Sequence, residues 1–492
     1  MGVQGYFQDH RKTEIRSAAP ALCSGACGAT QSGHAGESPI FTVFLRLAFA
    51  SVLLVVAAEH APAAAPAGAE ALLVIVGDQH SAYERTAQFV ARVDRWRAEN
   101  PGLPMAILLN GDTLEYGNVV ARRSAGAIDF AMFTALAQRA PTILNVGNHE
   151  PEFFDLENTI KRIEATGVKV ITNITNRATG HPFGPASTTL RLGAIEAVVV
   201  GVTTDNLATF RLAVRASLDL TNPVVWAKRN FARLLSAAPV KIVLTHTGVR
   251  DDREMLPLVP DGTLFAGAHD HLRFVHREGR TVYVHSGSWN EVCTLAWMRH
   301  EGANITWEIE QVRLSTDDPA DPKLSAIIRE TQVKHLTPED AVIVGRLPKP
   351  LSPAEAARFT ARAVRVATNA DAAFISNTTF GAGLPAGEVS RIVFDACVRF
   401  DGTVMIAEVD GAQLRDWLTG SNQSPDTPWA ERRGEFLFAD GPAAPEPGRR
   451  YRVAVSDWVV RNARKYLGTE SIAFTEMPEP KLKAMVTAAM KP

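Results

Sequence analysis

Five short loops carry the residue types that bind catalytic metals, and each follows an apolar run. They are Asp78-Gln79-His80, Gly111-Asp112, Gly147-Asn148-His149-Glu150, Thr245-His246 and Gly267-Ala268-His269-Asp270-His271. Carboxylate, amide and imidazole donors together suit Zn, Mn or Fe, whereas Ca and Mg prefer oxygen donors alone. Two such ions need a shared ligand, which a carboxylate such as Asp112 can provide. These donors predict two divalent metal ions that hold an ester phosphate and activate a water.

Taken singly, each loop has an ordinary structural explanation. An Asp after a Gly is usually a turn residue, and most isolated histidines belong to a core or to the surface. All five loops, in this order and each after a strand-like run, are harder to explain as turns. The combination therefore favours a metal site.

The apolar runs before the loops predict the elements that position them. Strands are predicted at residues 71–76, 105–109, 141–146, 194–202, 240–245 and 263–266, with shorter candidates at 283–285 and 305–312, and helices at 81–99 and 129–139. Alternating strands and helices are typical of α/β folds, whose sites lie beyond the strand ends.

The chain length indicates more than one domain, because 492 residues exceed one ordinary core. Residues 316–323 are rich in Pro and Asp without periodicity, which predicts a linker. Beyond it we expect a helix at 324–334, a strand at 341–347 and a helix at 353–368. Ser352 would cap that last helix, with Pro353 at its first position.

Composition describes a soluble globular protein, with 46% hydrophobic and 21% charged residues. The formal net charge of -2 gives no electrostatic basis for binding a nucleic-acid polymer. Cys293 and Cys397 could form a single disulfide, although isolated cysteines are more often small buried residues. Cys23 and Cys27 belong to the Gly/Ala/Ser-rich leader.

Residues 1–66 are predicted to form this leader. Its uninterrupted apolar run at residues 47–58 follows Arg46, precedes small residues, and has the length of a signal-peptide core. It is short for a membrane span. We therefore expect export to the periplasm or the extracellular space. The alternatives are an uncleaved anchor, which would be the one contact with a membrane, and a buried helix.

The five loops resemble the calcineurin-like metallophosphoesterase family, and within it the 5'-nucleotidase branch. The matching motifs are DxH at 78–80, GD at 111–112, GNHE at 147–150, His246 and GxHxH at 267–271. The resemblance covers residues 72–312. It implies an α/β catalytic domain at 67–315, a β-sandwich flanked by helices in four α/β/β/α layers, and an α+β carboxy-terminal substrate domain at 324–492.

The resemblance also implies the ligand sets. One metal would take Asp78, His80, Asp112 and His271, and the other Asp112, Asn148, His246 and His269. His149 would bind no metal and would stabilise the transition state or protonate the leaving oxygen. In this branch an Asp three residues later orients that histidine. Here the position is Glu152, with Asp155 further on and Glu115 as a third candidate, so the orienting acid stays open.

Residues 324–492 resemble the domain of 5'-nucleotidases that binds the nucleoside. Two elements of that branch are changed, since Asn377 is followed by TTFGAG without the expected Arg, and Trp458 by VVRNARKYLG without Gly-Gly-Asp. Trp458 or Phe380 could stack on a base or simply pack, and Asn377 and Arg399 are polar candidates for the cleft.

The expected activity is a 5'-nucleotidase-like hydrolysis of a nucleotide or nucleotide sugar. The expected partner is a small phosphate ester. The alternatives are a 2',3'-cyclic nucleotide phosphodiesterase, a thiosulfohydrolase-like enzyme with the same metal cage, and a ligand-binding relative without catalysis. The last is disfavoured because every metal ligand and His149 are present.

Overall fold

The computed structural model describes residues 64–491. Cys23, Cys27 and the apolar run on which the predicted export signal depends lie outside the described residues. Among residues 64–491, no helix has the length and apolar character needed to cross a membrane.

The first part of the chain alternates strands and helices as the sequence predicts. In chain order its elements are β1 (Ala71–Val76), α1 (Tyr83–Glu99), β2 (Met105–Asn110), α2 (Val119–Ser124), α3 (Ala127–Ala137), β3 (Thr142–Asn145), α4 (Leu156–Glu164), β4 (Lys169–Ile171), β5 (Thr175–Asn176), β6 (Ser187–Leu192), β7 (Ile195–Thr203), β8 (Leu218–Asp219), α5 (Pro223–Leu234), β9 (Val240–His246), α6 (Val249–Met255), β10 (Leu264–Gly267), β11 (Arg273–Glu278), β12 (Thr281–Ser286), β13 (Val292–Glu301) and β14 (Asn304–Arg313).

Twelve of these strands form two six-stranded sheets packed face to face, and β5 pairs with β8 in a separate two-stranded sheet. The orders of the six-stranded sheets are β14-β13-β1-β2-β3-β4 and β11-β12-β10-β9-β7-β6. The centre of each sheet is parallel. Antiparallel strands close both edges of the second sheet and the β14 edge of the first, whereas β4 at its other edge runs parallel to β3. Strand β1 is buried on both faces: Leu73 and Ile75 join the core between the sheets, whereas Leu72 and Val74 join the core under the helices. The predicted α/β/β/α layering is therefore confirmed.

The second part is α+β, as predicted. Its elements are α7 (Pro322–His335), β15 (Ile343–Leu347), α8 (Pro353–Ala367), β16 (Ala372–Ser376), β17 (Gly387–Ser390), α9 (Arg391–Cys397), β18 (Val404–Asp410), α10 (Gly411–Thr419), β19 (Leu437–Asp440), β20 (Arg450–Ser456), α11 (Asp457–Arg461), α12 (Ala463–Leu467), β21 (Thr475–Met477) and α13 (Leu482–Ala489). A five-stranded sheet, β19-β16-β20-β18-β21, forms its centre. Ser352 caps α8 through a capping box with Glu355, and Pro353 is the first residue of the helix.

The segment predicted as a linker is fixed to the first part of the chain. Asp321 caps α7 and pairs with Arg139 at 2.7 Å, and Asp318 pairs with Arg92 at 2.9 Å. Helix α7 then buries Leu324 in the core under the helices of the first part. The charges that make this segment look like a linker thus anchor it, and the exact domain boundary stays a prediction.

Cys293 and Cys397 are free thiols. Each is buried in a different core, Cys293 beneath the helices of the first part and Cys397 in the core that extends into the second part. The disulfide considered from the sequence is therefore not formed, and burial raises the pKa of both thiols.

Candidate metal centre

The five loops meet where the carboxyl ends of β1, β2 and β3 in one sheet face those of β9 and β10 in the other. Ligand atoms of Asp78, His80 and His271 lie within 4.8 Å of one another, and so do those of Asp112, His246 and His269. With Asn148, which lines the same cavity as Asp112, these residues form what we call the cage. The two clusters correspond to the two predicted ligand sets, and their occupancy by metal stays a prediction.

Three histidine rings, those of His80, His246 and His271, turn Nε2 toward the other ligands of the cage. Nδ1 of His246 lies 2.8 Å from the carbonyl oxygen of Asn110, which leaves Nε2 at 3.0 Å from Oδ2 of Asp112. Nε2 of His80 and Nε2 of His271 face each other at 2.9 Å. Imidazoles that bind metals are commonly oriented in this way by a hydrogen bond on the outer nitrogen.

The neutral histidines and the negative carboxylates of the cage favour the binding of cations. Burial lowers the pKa of His269 to about 3 and that of His271 to about 4, so both rings are neutral, as metal ligands must be. Burial alone would lower the pKa of His246, yet the charge of Asp112 and its hydrogen bond raise it to about 10. The carboxylates thus draw a positive charge to the point that a divalent ion would occupy.

Backbone conformation and burial also mark the cage. Five of its residues have left-handed backbones, namely Asp78, His80, Asp112, His269 and His271. Such conformations cost about 1–3 kcal/mol each and persist where the surroundings fix them. Oδ1 of Asn148 is buried without a hydrogen-bond partner among the described residues. The residues therefore fit two divalent ions, and their mixed N and O donors suit Zn, Mn or Fe.

Two glycines allow the loops to come so close together. A Cβ at Gly111, where φ is +75°, would lie 2.5 Å from Nδ1 of His246. A Cβ at Gly147 would collide with the carboxylate of Asp112. The glycines of the GD and GNHE motifs are thus required by the close packing of three ligand loops.

Glu150 ties two of these loops together. Its carboxylate accepts from the backbone N–H groups of Asp112 at 3.0 Å, Thr113 at 2.8 Å and Gly147 at 2.5 Å. All three donors belong to residues buried around the cage. The last residue of the GNHE motif is therefore a structural brace.

We expect Glu150→Ala to lower the free energy of unfolding by about 3 kcal/mol or more, because it leaves buried N–H groups without acceptors at roughly 1–3 kcal/mol each. Urea unfolding of the metal-free protein measures the change. Glu157→Ala is the matched control, since that exposed carboxylate pairs with the exposed Lys161 and its loss should shift stability by less than about 0.5 kcal/mol. Equal stabilities of the two variants would contradict the brace.

Of the three candidate acids, Glu152 lies nearest to the His149 ring. Its Oε1 lies 2.7 Å from Nδ1 of the ring, whereas Glu115 is 3.9 Å away. Asp155, the other sequence candidate, instead caps α4 by accepting from the backbone of Asn158 at the surface. Burial alone would lower the pKa of His149, but the charges of Asp112 and Glu152 outweigh it and raise the pKa to about 9.

Glu115 has a different partner. Arg399, from the segment after α9 in the second part, forms an ion pair with it, and both side chains are buried. Nη2 of Arg399 also lies 3.2 Å from Nδ1 of His80. His80, Glu115 and His149 lie close together, and the guanidinium of Arg399 contacts the first two. The second part of the chain thus places a positive charge at the edge of the cage.

A cavity of about 450 Å³ opens from the cage between the two parts of the chain. Arg399 and Trp458, both sequence candidates, lie on its wall. Phe400, whose side chain is 44% exposed, and Arg211 also line it. Neither was identified from the sequence. Phe400 lies directly after Arg399 in the sequence RFDGT, and that position is the signal that could have identified it.

Two sequence candidates lie elsewhere. Phe380 is 5% exposed and packs edge-to-face against Phe438 in the core. Asn377 is buried and donates to the carbonyl oxygen of Asp270 at 2.9 Å, so it connects the second part to a ligand loop. Both are placed by packing and backbone hydrogen bonds, and neither lines the cavity.

Glu435, Lys465 and Tyr466 form a cluster that sequence reasoning missed. Nζ of Lys465 lies 2.5 Å from Oε1 of Glu435, and the hydroxyl of Tyr466 donates to the same carboxylate. The cluster borders His269, whose Nε2 is 3.5 Å from Glu435. Its only sequence signal is the KY that follows Trp458 in place of Gly-Gly-Asp.

Comparison with protein families gives two matches. Residues 71–273 match the family model described as calcineurin-like phosphoesterase, and residues 341–434 match the 5'-nucleotidase C-terminal domain. No curated protein sequence matches the chain.

Solved structures share the fold of both parts. A 5'-nucleotidase precursor from Thermus thermophilus aligns with a TM-score of 0.59 and 16% identity, over 86% of this chain and 96% of its own. The sulfate thiohydrolase SoxB from the same species aligns with a TM-score of 0.62 and 13% identity, over 87% and 95%. A 5'-nucleotidase from Candida albicans gives 0.54 and 12%, over 87% and 98%. At these identities the likeness shows the fold alone.

Proposed function

We propose that this chain, a phosphoester hydrolase, removes phosphate from nucleotides. The match of residues 71–273 to the calcineurin-like phosphoesterase family and of residues 341–434 to the 5'-nucleotidase C-terminal domain supports the proposal. The proposed ligands are the cage residues, with Asp112 shared between two ions.

One observation carries this proposal: the cage and an aromatic-walled pocket share a single cavity. Asp112 and His149 line it on one side, Phe400 and Trp458 on the other. Its volume of about 450 Å³ lies within the range of small-molecule sites. A phosphate at the cage would thus leave an attached planar group beside the aromatic wall.

Two divalent ions bound in the cage would hold the phosphoryl oxygens and activate the attacking water. The water oxygen forms a bond to phosphorus as the ester P–O bond breaks. Glu152 holds Nδ1 of His149, so Nε2 of that ring is the nitrogen available to protonate the departing alcohol oxygen. Arg399 would bind phosphoryl oxygens as their charge increases. The products are orthophosphate and the free alcohol.

A sulfur-oxyanion hydrolase is the second candidate. The observation in its favour is the altered sequence after Asn377 and after Trp458, which lacks the residues expected around a nucleoside. Arg399 at the cage suits either oxyanion, because a guanidinium pairs with anionic oxygens in both. The two candidates differ in the group beyond the oxyanion, and a substrate panel separates them.

The panel contains AMP, 2',3'-cyclic AMP, a nucleotide sugar, bis(p-nitrophenyl) phosphate and a thiosulfonate. We expect phosphate release from AMP to exceed turnover of every other compound. Turnover of the thiosulfonate alone would establish the second candidate, and inactivity toward every nucleotide would overturn the first. The panel is run on purified protein reconstituted separately with Mn²⁺ and with Zn²⁺, so that inactivity is not caused by a missing metal.

We expect His149→Asn to lower kcat for AMP by about 100-fold, because the leaving alcohol then departs without a proton donor. The loss should be clearly smaller for p-nitrophenyl phosphate, whose leaving group needs no proton. Steady-state kinetics on both substrates measure the difference. An equal loss on both would show that His149 does not act on the leaving oxygen.

We also propose that the enzyme acts outside the cytoplasm. The support is the apolar run at residues 47–58 with Arg46 before it. Fractionation of cells that produce the full chain tests this location.

A further inference from the structure

One carboxylate of the second part of the chain reaches a candidate metal ligand of the first. Glu435 lies just before β19, and its Oε1 is 3.5 Å from Nε2 of His269. The Glu435 side chain is nearly fully buried. A carboxylate buried beside the cage must be held by partners that compensate its charge.

The position of Glu435 is fixed by its neighbours. Lys465 pairs with Oε1 at 2.5 Å, and the Tyr466 hydroxyl donates to Oε2. That hydroxyl lies 2.8 Å from Oγ of Ser376, at the end of β16. Residues of helix α12 and strand β16 thus fix the carboxylate, and its Oε1, which pairs with Lys465, is also the oxygen nearest to His269.

In a neutral imidazole that binds a metal, one ring nitrogen carries the hydrogen and the other donates its lone pair to the metal. When a carboxylate faces Nε2, the hydrogen is favoured there, and Nδ1 keeps the lone pair that binds a cation. His246 shows the same division in this cage, since its Nδ1 faces the carbonyl oxygen of Asn110 and its Nε2 faces Asp112. At His269 the nitrogen that faces a protein oxygen is Nε2, at a longer distance of 3.5 Å from Oε1 of Glu435.

We propose that Glu435 is a positioning residue that accepts the Nε2–H of His269 and thereby presents Nδ1 to the metal shared with Asp112 and His246. This inference rests on the proposed two-metal site and is independent of the substrate. It makes the second metal position a property of both parts of the chain. Metal binding and the docking of the second part then strengthen each other by the same free energy.

Calorimetric titration of the metal-free, full-length protein with Mn²⁺ tests the proposal. We expect Glu435→Ala to weaken one of the two binding steps by about 10–100-fold, as for other partners of metal-bound histidines. Glu435→Gln should restore part of the affinity, because its amide oxygen can still accept from Nε2–H. Asp440→Asn is the matched control: this acid at the end of β19 pairs with Arg365, and its replacement should change neither step.

Proton NMR of the Co²⁺-loaded protein gives a second readout, which does not depend on affinity. The His269 Nε2–H should appear as a shifted, slowly exchanging signal in the wild type and in Glu435→Gln, and disappear by exchange in Glu435→Ala. Unchanged affinity in the Ala variant would overturn the proposal. Absence of that signal from the wild-type protein would also overturn the proposal, and Glu435 would then be a direct metal ligand. The substrate panel measures hydrolysis by the wild type and does not depend on the tautomer of His269, so failure here is separable from failure of the proposed function.

Discussion

Replacement of Asp112 by asparagine should abolish measurable turnover, with kcat/KM lower by about 10⁴-fold, or about 5.5 kcal/mol. The carboxylate is the only group in both proposed ligand sets. Its Oδ2 lies 3.0 Å from Nε2 of His246, and its Oδ1 accepts from the backbone of His149 at 2.7 Å. An amide keeps the shape and that backbone hydrogen bond but removes the charge that would bridge two cations.

Metal content distinguishes this explanation from misfolding. Elemental analysis should find two metal equivalents in the wild type and one or none in Asp112→Asn, while circular dichroism stays unchanged. Asp94→Asn makes the same chemical change at an exposed acid that pairs with Arg139, and it should retain activity within about twofold. A variant that binds two metals yet is inactive, or one that keeps a tenth of the activity, would contradict the bridging role of Asp112.

Local sequence was sufficient to predict the elements that position the cage. The run ALLVIV becomes β1 at the residues predicted, and Gly147 follows β3 as an exit from the strand. These predictions succeed because strands buried on both faces read as short continuous apolar runs. The order of the five loops then brings the ligands to one edge, since parallel strands end on the same side of a sheet.

Contacts between segments that are far apart in the chain could not be predicted from the sequence. Arg399 and His80 are 319 positions apart and nevertheless lie within 3.2 Å. No periodicity encodes such a contact, because it depends on how the second part docks. Phe380 and Phe400 illustrate the same limit. Both follow polar residues in short segments, yet packing buries the first in the core and leaves the second on the cavity wall.

The structure places the three candidate acids at different positions around His149. Glu152 is placed by the single 3₁₀ turn Glu150–Glu152 that follows His149, whereas Asp155 begins the next helix. A difference of three residues along the chain thus separates an acid that touches the ring from one that caps α4 at the surface. Sequence spacing alone does not specify where a 3₁₀ turn ends and an α-helix begins.

Arg399 should have two separable effects, one on stability and one on catalysis. Its ion pair with Glu115 is buried on both sides, and removal of one partner from such a pair commonly costs about 3–5 kcal/mol. We therefore expect Arg399→Met to lower the free energy of unfolding by about that amount. The double variant Glu115→Gln/Arg399→Met should recover most of the loss, because neither charge is then buried alone.

Catalysis should not recover with stability. Loss of a donor aimed at developing charge commonly costs about 10²–10³-fold in rate, so we expect kcat/KM for AMP to fall by about 10³-fold in Arg399→Met and to stay low in the double variant. Arg399→Lys should be intermediate, since a lysine offers one charge without the two-pronged geometry. Urea unfolding and steady-state kinetics on the wild type and these three variants give both quantities. If the double variant regained activity along with stability, Arg399 would be a structural partner of Glu115 and the oxyanion would have to be held by the cage alone.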